Sequence, residues 1–269
     1  MKSRLLCVLL MSGPANAIAD CRDDWICVDT VDLGDDVALL ARNLADYPIT
    51  YTLKVRDPYL RGTVTRTLAP RQSEQVIEVA SEQLGGSGKL HFSYEWTVGD
   101  KDAVHDDDHL YALPYRSGNS YRVLQGYGSR FSHTGLEEFA IDFDMKIGTS
   151  VHAARAGVVA RVQESHAKGC WDDGCGAYAN YVVILHNDGT TGEYYHLQKD
   201  GVLVGVGDRV AQGQKIAYSG NTGHTTMPHL HFAVYRATTG GNTQSIPVRF
   251  QSIDGIITRP RRGGRYQAM

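Results

Sequence analysis

Short runs in which apolar and polar residues alternate, separated by Gly, Pro and Asp, make up most of this chain, and no long helical period is visible. Successive side chains of a strand point to opposite faces, so runs of this kind commit a chain to sheets. The expected fold class is all-β dominated. Residues 37–41, 49–55, 75–79 and 90–96 read as strands of a small N-terminal β-sandwich, placed at 18–110. A second strand-rich unit, 111–269, follows with runs at 121–125, 140–143, 157–162, 181–186, 193–197, 215–218 and 229–234. Asn187-Asp188-Gly189 reads as a hairpin turn, because Asp-Gly suits the positive backbone angles of a tight connection. The segment His105-Asp106-Asp107-Asp108-His109 between the units reads as a solvated linker, since neighbours on an extended chain point apart.

With 269 residues the chain can bury a real core without a structural metal, so a metal here would be functional first. Lys2 and Arg4 precede an apolar run at 5–11 and then Ala15-Asn16-Ala17, the pattern of a cleaved export signal at 1–17. No segment approaches the ~20 apolar residues of a spanning helix, so stable membrane insertion is not expected. The chain reads as exported, periplasmic or secreted, and is expected to act as a monomer. Cys7 would leave with the signal, and the even remainder, Cys21, Cys27, Cys170 and Cys175, suggests disulfides. Cys21–Cys27 and Cys170–Cys175 are the simplest of three connectivities. The formal charge of -3, with both signs mixed, gives no reason to expect nucleic acid as a partner. Arg259, Arg261, Arg262 and Arg265 read as a solvated tail or edge.

His229-Leu230-His231 enters a strand-like run, and residues i and i+2 of a strand share a face. Both imidazoles would then leave one rigid element together, one suited to a metal and the other to a neighbouring water. Together with Gly220-Asn221-Thr222-Gly223 and Pro228, this stretch resembles the closing motif of the M23 metallopeptidases, the lysostaphin or LytM type. Further landmarks follow the family's order: Gln125-Gly126-Tyr127, Ser132-His133-Thr134-Gly135, Ala140-Ile141-Asp142-Phe143, Tyr194-Tyr195-His196-Leu197 and Gly213-Gln214-Lys215-Ile216. The resemblance covers about 112–250 and implies an antiparallel β-sheet metallopeptidase domain. It also implies one zinc ion held by His133, Asp142 and His231, with His196 and His229 as the catalytic pair.

Two imidazoles and one carboxylate suit a catalytic zinc that keeps a position open, whereas a structural site wants four protein ligands. His229 is the expected general base, and His196 the expected stabiliser of developing charge. Asp144 reads as solvent-facing or behind the ligands. His152 and His186 have no assigned role, and His224, in the loop before the site, is a candidate groove residue. Met227 stands where the family usually has glycine, and Trp171 sits in an insertion bounded by Cys170 and Cys175. The resemblance implies hydrolysis of peptide bonds in bacterial peptidoglycan, with an exported protein as another substrate class. The rival readings are a catalytically silent wall-binding or regulatory module, which loss of a ligand residue would favour, and a carbohydrate-binding module with an incidental metal.

Overall fold

In the computed structural model, which describes residues 20–22, 25–57, 60–84 and 90–269, alternation along 49–55 puts Ile49, Tyr51, Leu53 and Val55 on one face, and all four are buried. Burial of each such side chain contributes roughly 1.5–3 kcal/mol. The expected export signal at 1–17 lies outside the described residues. The N-terminal strands are β1 (Asp20–Arg22), β2 (Ile26–Asp32), β3 (Asp36–Asn43), β4 (Ile49–Arg56), β5 (Arg61–Leu68), β6 (Ser73–Ala80) and β7 (Phe92–Val98). They make two antiparallel sheets, ordered β1-β2-β3-β6 and β5-β4-β7, which share one apolar cluster. The opposite face of β4 carries Thr50 and Thr52, whose hydroxyls bond Thr67 and Thr65 across the β4–β5 pair.

The later strands are β8 (Leu110–Ala112), β9 (Ser120–Gln125), β10 (Ile141–Phe143), β11 (Ser150–His152), β12 (Gly157–Gln163), β13 (Gly169–Cys170), β14 (Tyr181–Leu185), β15 (Thr191–Tyr195), β16 (Leu197–Val202), β17 (Arg209–Val210), β18 (Lys215–Ser219), β19 (Gly223–His224), β20 (Leu230–Ala237), β21 (Thr243–Ile246), β22 (Arg249–Ser252), β23 (Gly255–Ile257) and β24 (Arg265–Gln267). The chain is all-β; among the described residues the helical pieces are short 3-10 turns. A nine-stranded sheet runs β17-β12-β14-β15-β20-β10-β9-β24, with β21 also paired to β20. One of its faces, bearing Val182, Ile184, Tyr194, Leu230 and Phe232, is buried in a core with Val151, Ile216 and Phe250 from the smaller sheets.

The other face of this sheet is divided. Cross-strand partners share a face, and the register aligns Arg161 with Val183, Val183 with Glu193, and Glu193 with Ala233. At β12 and β14 that face is covered by the N-terminal sheets: Ala160 and Val183 join their apolar cluster, and the Tyr47 hydroxyl donates to the Ala160 carbonyl at 2.8 Å. The Arg161 guanidinium lies over the rings of Trp25 and Trp96. At β15, β20, β10 and β9 the same face forms the floor of a groove. Strand β14 is apolar almost throughout because both of its faces are covered.

The hairpin turn expected at 187–189 is present between β14 and β15, and Gly189 takes a φ of 84°. The acidic residues 106–108 are exposed, but the linker reading fits the flanking histidines less well. His105 bonds the Tyr111 hydroxyl, and the His109 ring meets the Tyr111 ring edge-on at 4.9 Å. Arg155 donates to Asp188 at 2.6 Å and to the Tyr111 hydroxyl at 3.0 Å. His186 is buried beside them, 2.9 Å from the Thr190 hydroxyl. The basic stretch near the C-terminus is an edge, with β24 paired to β9.

Burial, reinforced by the Arg155 charge, pushes His186 down to about 3. A histidine whose folded pKa is depressed takes up its proton more readily when unfolded. Its contribution to stability is therefore complete above about pH 6.5 and is lost as pH falls toward the folded value. We expect His186→Gln to lose less thermal stability than wild type between pH 7 and pH 4.5, measured as Tm. Parallel Tm–pH curves for the two proteins would remove His186 as the cause.

Candidate metal centre

Residues directly opposed on neighbouring strands stand side by side on one face. The register aligns Gln125 of β9 with Asp142 of β10, Asp142 with His231 of β20, and His231 with Tyr195 of β15. This row crosses the open half of the sheet. The Asp142 Oδ1 atom lies 3.0 Å from His231 Nδ1, 3.2 Å from His133 Nε2 and 3.7 Å from His229 Nε2. The other oxygen, Oδ2, accepts a hydrogen bond from Gln125 Nε2 at 2.6 Å, which fixes the carboxylate's rotation. Burial works against the ionised form, yet bonds to His133 and His231 hold this carboxyl well below the usual carboxylate range.

His133, expected from sequence on a polar loop, is only 1% exposed. Both ring nitrogens are buried: Nδ1 has no partner, and Nε2 has only the Asp142 carboxylate at 3.2 Å, outside good hydrogen-bond geometry. An imidazole left so costs stability unless something absent from the protein chain binds it. One ligand atom each from His133, Asp142 and His231 lies within 4.8 Å of the others, the convergence a metal ion needs. Two imidazoles and a carboxylate form a donor set that suits zinc.

His196 and His229 stand beside this triad, with ring centroids 4.5 Å apart. The run 193–197, expected as a single strand, breaks at His196, whose φ of 63° turns the chain between β15 and β16. Left-handed backbone is costly for a side-chain-bearing residue and here aims the ring at the groove. His196 Nδ1 lies 2.7 Å from the Thr222 carbonyl, and His229 Nδ1 lies 2.8 Å from the Met227 carbonyl. Carbonyls only accept, so both rings carry hydrogen on Nδ1 and turn Nε2 toward the site. Burial, with the charges of His229 and His231, pushes His196 down to about 3. Burial also lowers His229, outweighing the nearby Asp142. His231 moves the other way, to about 10, because bonds to Asp142 and Glu137 overcome the effect of burial.

A groove of about 730 Å³ contains these residues, and both Trp171 and His224 line it. The Trp171 ring stacks on His224 at 4.0 Å and on Phe131 at 5.2 Å. The local pairs Cys21–Cys27 and Cys170–Cys175 are both disulfides, and the second closes the Trp171 loop. Asp144 turns outward to Arg122 at 3.1 Å, and His152 bonds the Gly213 carbonyl away from the groove. Gln125, Glu137 and Tyr235 also line the groove. Sequence reasoning gave none of these three a role; the parity of Tyr235 with His231 on one strand was the available signal.

Residues 137–246 match Peptidase family M23. The match begins after His133, so that residue's place rests on the geometry above. Among curated relatives of the chain, the glycyl-glycine endopeptidase ALE-1 of Staphylococcus capitis is 34% identical over 134 residues, which are 49% of the chain and 34% of the relative. The peptidoglycan DD-endopeptidase ShyA of Vibrio cholerae is 35% identical over 122 residues, 44% of the chain and 26% of the relative. The chain thus spans well under two thirds of either relative. The solved structure of lysostaphin from Staphylococcus simulans is 32% identical with a TM-score of 0.34, covering 46% of this chain and 47% of that one.

Proposed function

We propose that this chain is an exported zinc-dependent endopeptidase that hydrolyses peptide bonds in bacterial peptidoglycan, holding one zinc ion through His133, Asp142 and His231. The observation that carries the reading is the convergence of these three residues around a buried imidazole whose Nδ1 has no hydrogen-bond partner. The named activities of the relatives support the substrate class. Two disulfides support export, since such bonds persist in oxidising compartments. We also take 18–110 and 111–269 as the two domains, a division supported by the two main apolar clusters.

When bound, zinc supplies a Lewis acid for the scissile carbonyl and lowers the pKa of a water. The chain's own residues do the rest. Gln125 keeps Asp142 turned so that one oxygen faces the histidines. His229, neutral and hydrogen-bonded through Nδ1, offers the Nε2 lone pair that takes a proton from the attacking water. His196 likewise presents a lone pair at rest, so a role as donor to developing negative charge requires it first to gain a proton. Either ring can return its proton to the leaving amine.

The test is hydrolysis of purified peptidoglycan of defined cross-link by the purified protein, counting released amino termini. Release should vanish in zinc-stripped protein and return with zinc. Zinc-loaded protein that binds the polymer but releases no amine would overturn the reading in favour of a silent wall-binding module.

A further inference from the structure

We infer that Tyr235 and Glu137 form a chain of hydrogen bonds that keeps the proton of His231 on Nε2 and so reserves Nδ1 for the metal. Neither belongs to the ligand set or to the catalytic pair, and the inference rests on the reading of His231 as a ligand. His231 turns Nδ1 toward Asp142 at 3.0 Å and Nε2 the opposite way, 3.2 Å from the Tyr235 hydroxyl oxygen. That hydroxyl lies 2.6 Å from Glu137 Oε2. An ionised carboxylate only accepts, so the tyrosine's single proton is donated to Glu137. The tyrosine oxygen is then left as an acceptor, and the hydrogen between it and His231 must come from Nε2. Without a metal, Nδ1 also donates to the Asp142 carboxylate and the ring holds both protons; a metal at Nδ1 takes the place of that proton, and the network keeps the other one on Nε2.

The fold makes the arrangement rigid. His231, Ala233 and Tyr235 follow one another on the same face of β20, and alanine between them leaves room for the two longer side chains to meet. Tyr235 is buried in a small cluster with Ala140 and Ala233. Glu137 lies in the turn that leads into β10, and its carbonyl accepts from the Ala140 amide at 3.0 Å. The amide before it, Phe139, donates to the Ser245 hydroxyl at 2.9 Å. The segment that delivers Asp142 therefore also delivers the carboxylate that orients Tyr235.

The test measures the zinc dissociation constant by competition with a chromophoric chelator for wild type, Tyr235→Phe, Glu137→Ala and the double variant. Tyr235→Phe keeps the ring, so the Tm of the metal-free protein should stay close to wild type. Each single change should raise the Kd by roughly 10–100-fold, the usual cost of losing a group that orients a metal-bound histidine. Because Tyr235 at 3.2 Å and Glu137 Oε2 at 3.6 Å hold the same Nε2 proton, the double variant should lose less than the sum of the two single losses. In zinc-loaded wild type, nitrogen-15 spectra should show His231 protonated at Nε2, a signal that weakens in both single variants. An unchanged Kd in either single variant, or losses that add in the double, would overturn the inference and leave the zinc site standing. Wild type that holds no zinc would overturn both.

Discussion

Asp142→Ala is expected to leave the purified protein with close to no zinc where wild type holds one ion, and to abolish release of amino termini from peptidoglycan. The Asp142 carboxylate is the anionic member of the triad, with three imidazole nitrogens at 3.0, 3.2 and 3.7 Å from one oxygen. Losing a ligand should cost more than the roughly 10–100-fold that follows loss of a group behind one. Asp142→Asn separates charge from shape: it keeps a carbonyl oxygen to meet Gln125 but lacks the charge. Zinc content measured by elemental analysis after dialysis should then fall in the order wild type, Asn, Ala. Full zinc occupancy in Asp142→Ala would show that the carboxylate is no ligand.

His229→Ala should do the reverse, keeping its zinc while hydrolysis falls by roughly 10²–10⁴-fold, the range for a lost general base. The ring is anchored through Nδ1 to a backbone carbonyl and belongs to the rim of the site, not to the three converging ligand atoms. The informative quantity is the ratio of zinc content to kcat, measured beside His196→Ala. A similar fall in both variants would mean that the two rings share the proton. Loss of zinc in His229→Ala would instead move this residue into the ligand set.

The parts of this molecule that were legible in sequence share a cause. Alternation of apolar and polar residues marks β3, β4, β6 and β7, and the same period of two puts His229 and His231 together. Strand β2 is hidden because Asp29 places a buried charge in its middle, where Arg42 of β3 pairs with it. Strand β5 was hidden because most of its residues face solvent, leaving little apolar alternation to see. The broken run at His196 was read as continuous because local propensity says nothing of a corner imposed by tertiary packing. The chain from Glu137 to Tyr235 joins a turn to a strand across 98 residues, a separation that no periodic pattern bridges.

The N-terminal sheets rest on the same face of the large sheet that carries the groove, two strands to one side. From His231 on β20, that cover begins beyond β15, at β14. Shortening the protein to its second half would strip cover from Ala160 and Val183 and take the rings of Trp25 and Trp96 from the Arg161 guanidinium. It would also leave a fresh oily strip beside the groove. The N-terminal sheets thus roof one half of the large sheet while standing beside the other, and substitutions at their solvent-facing positions, with the packed surface left whole, separate the two effects.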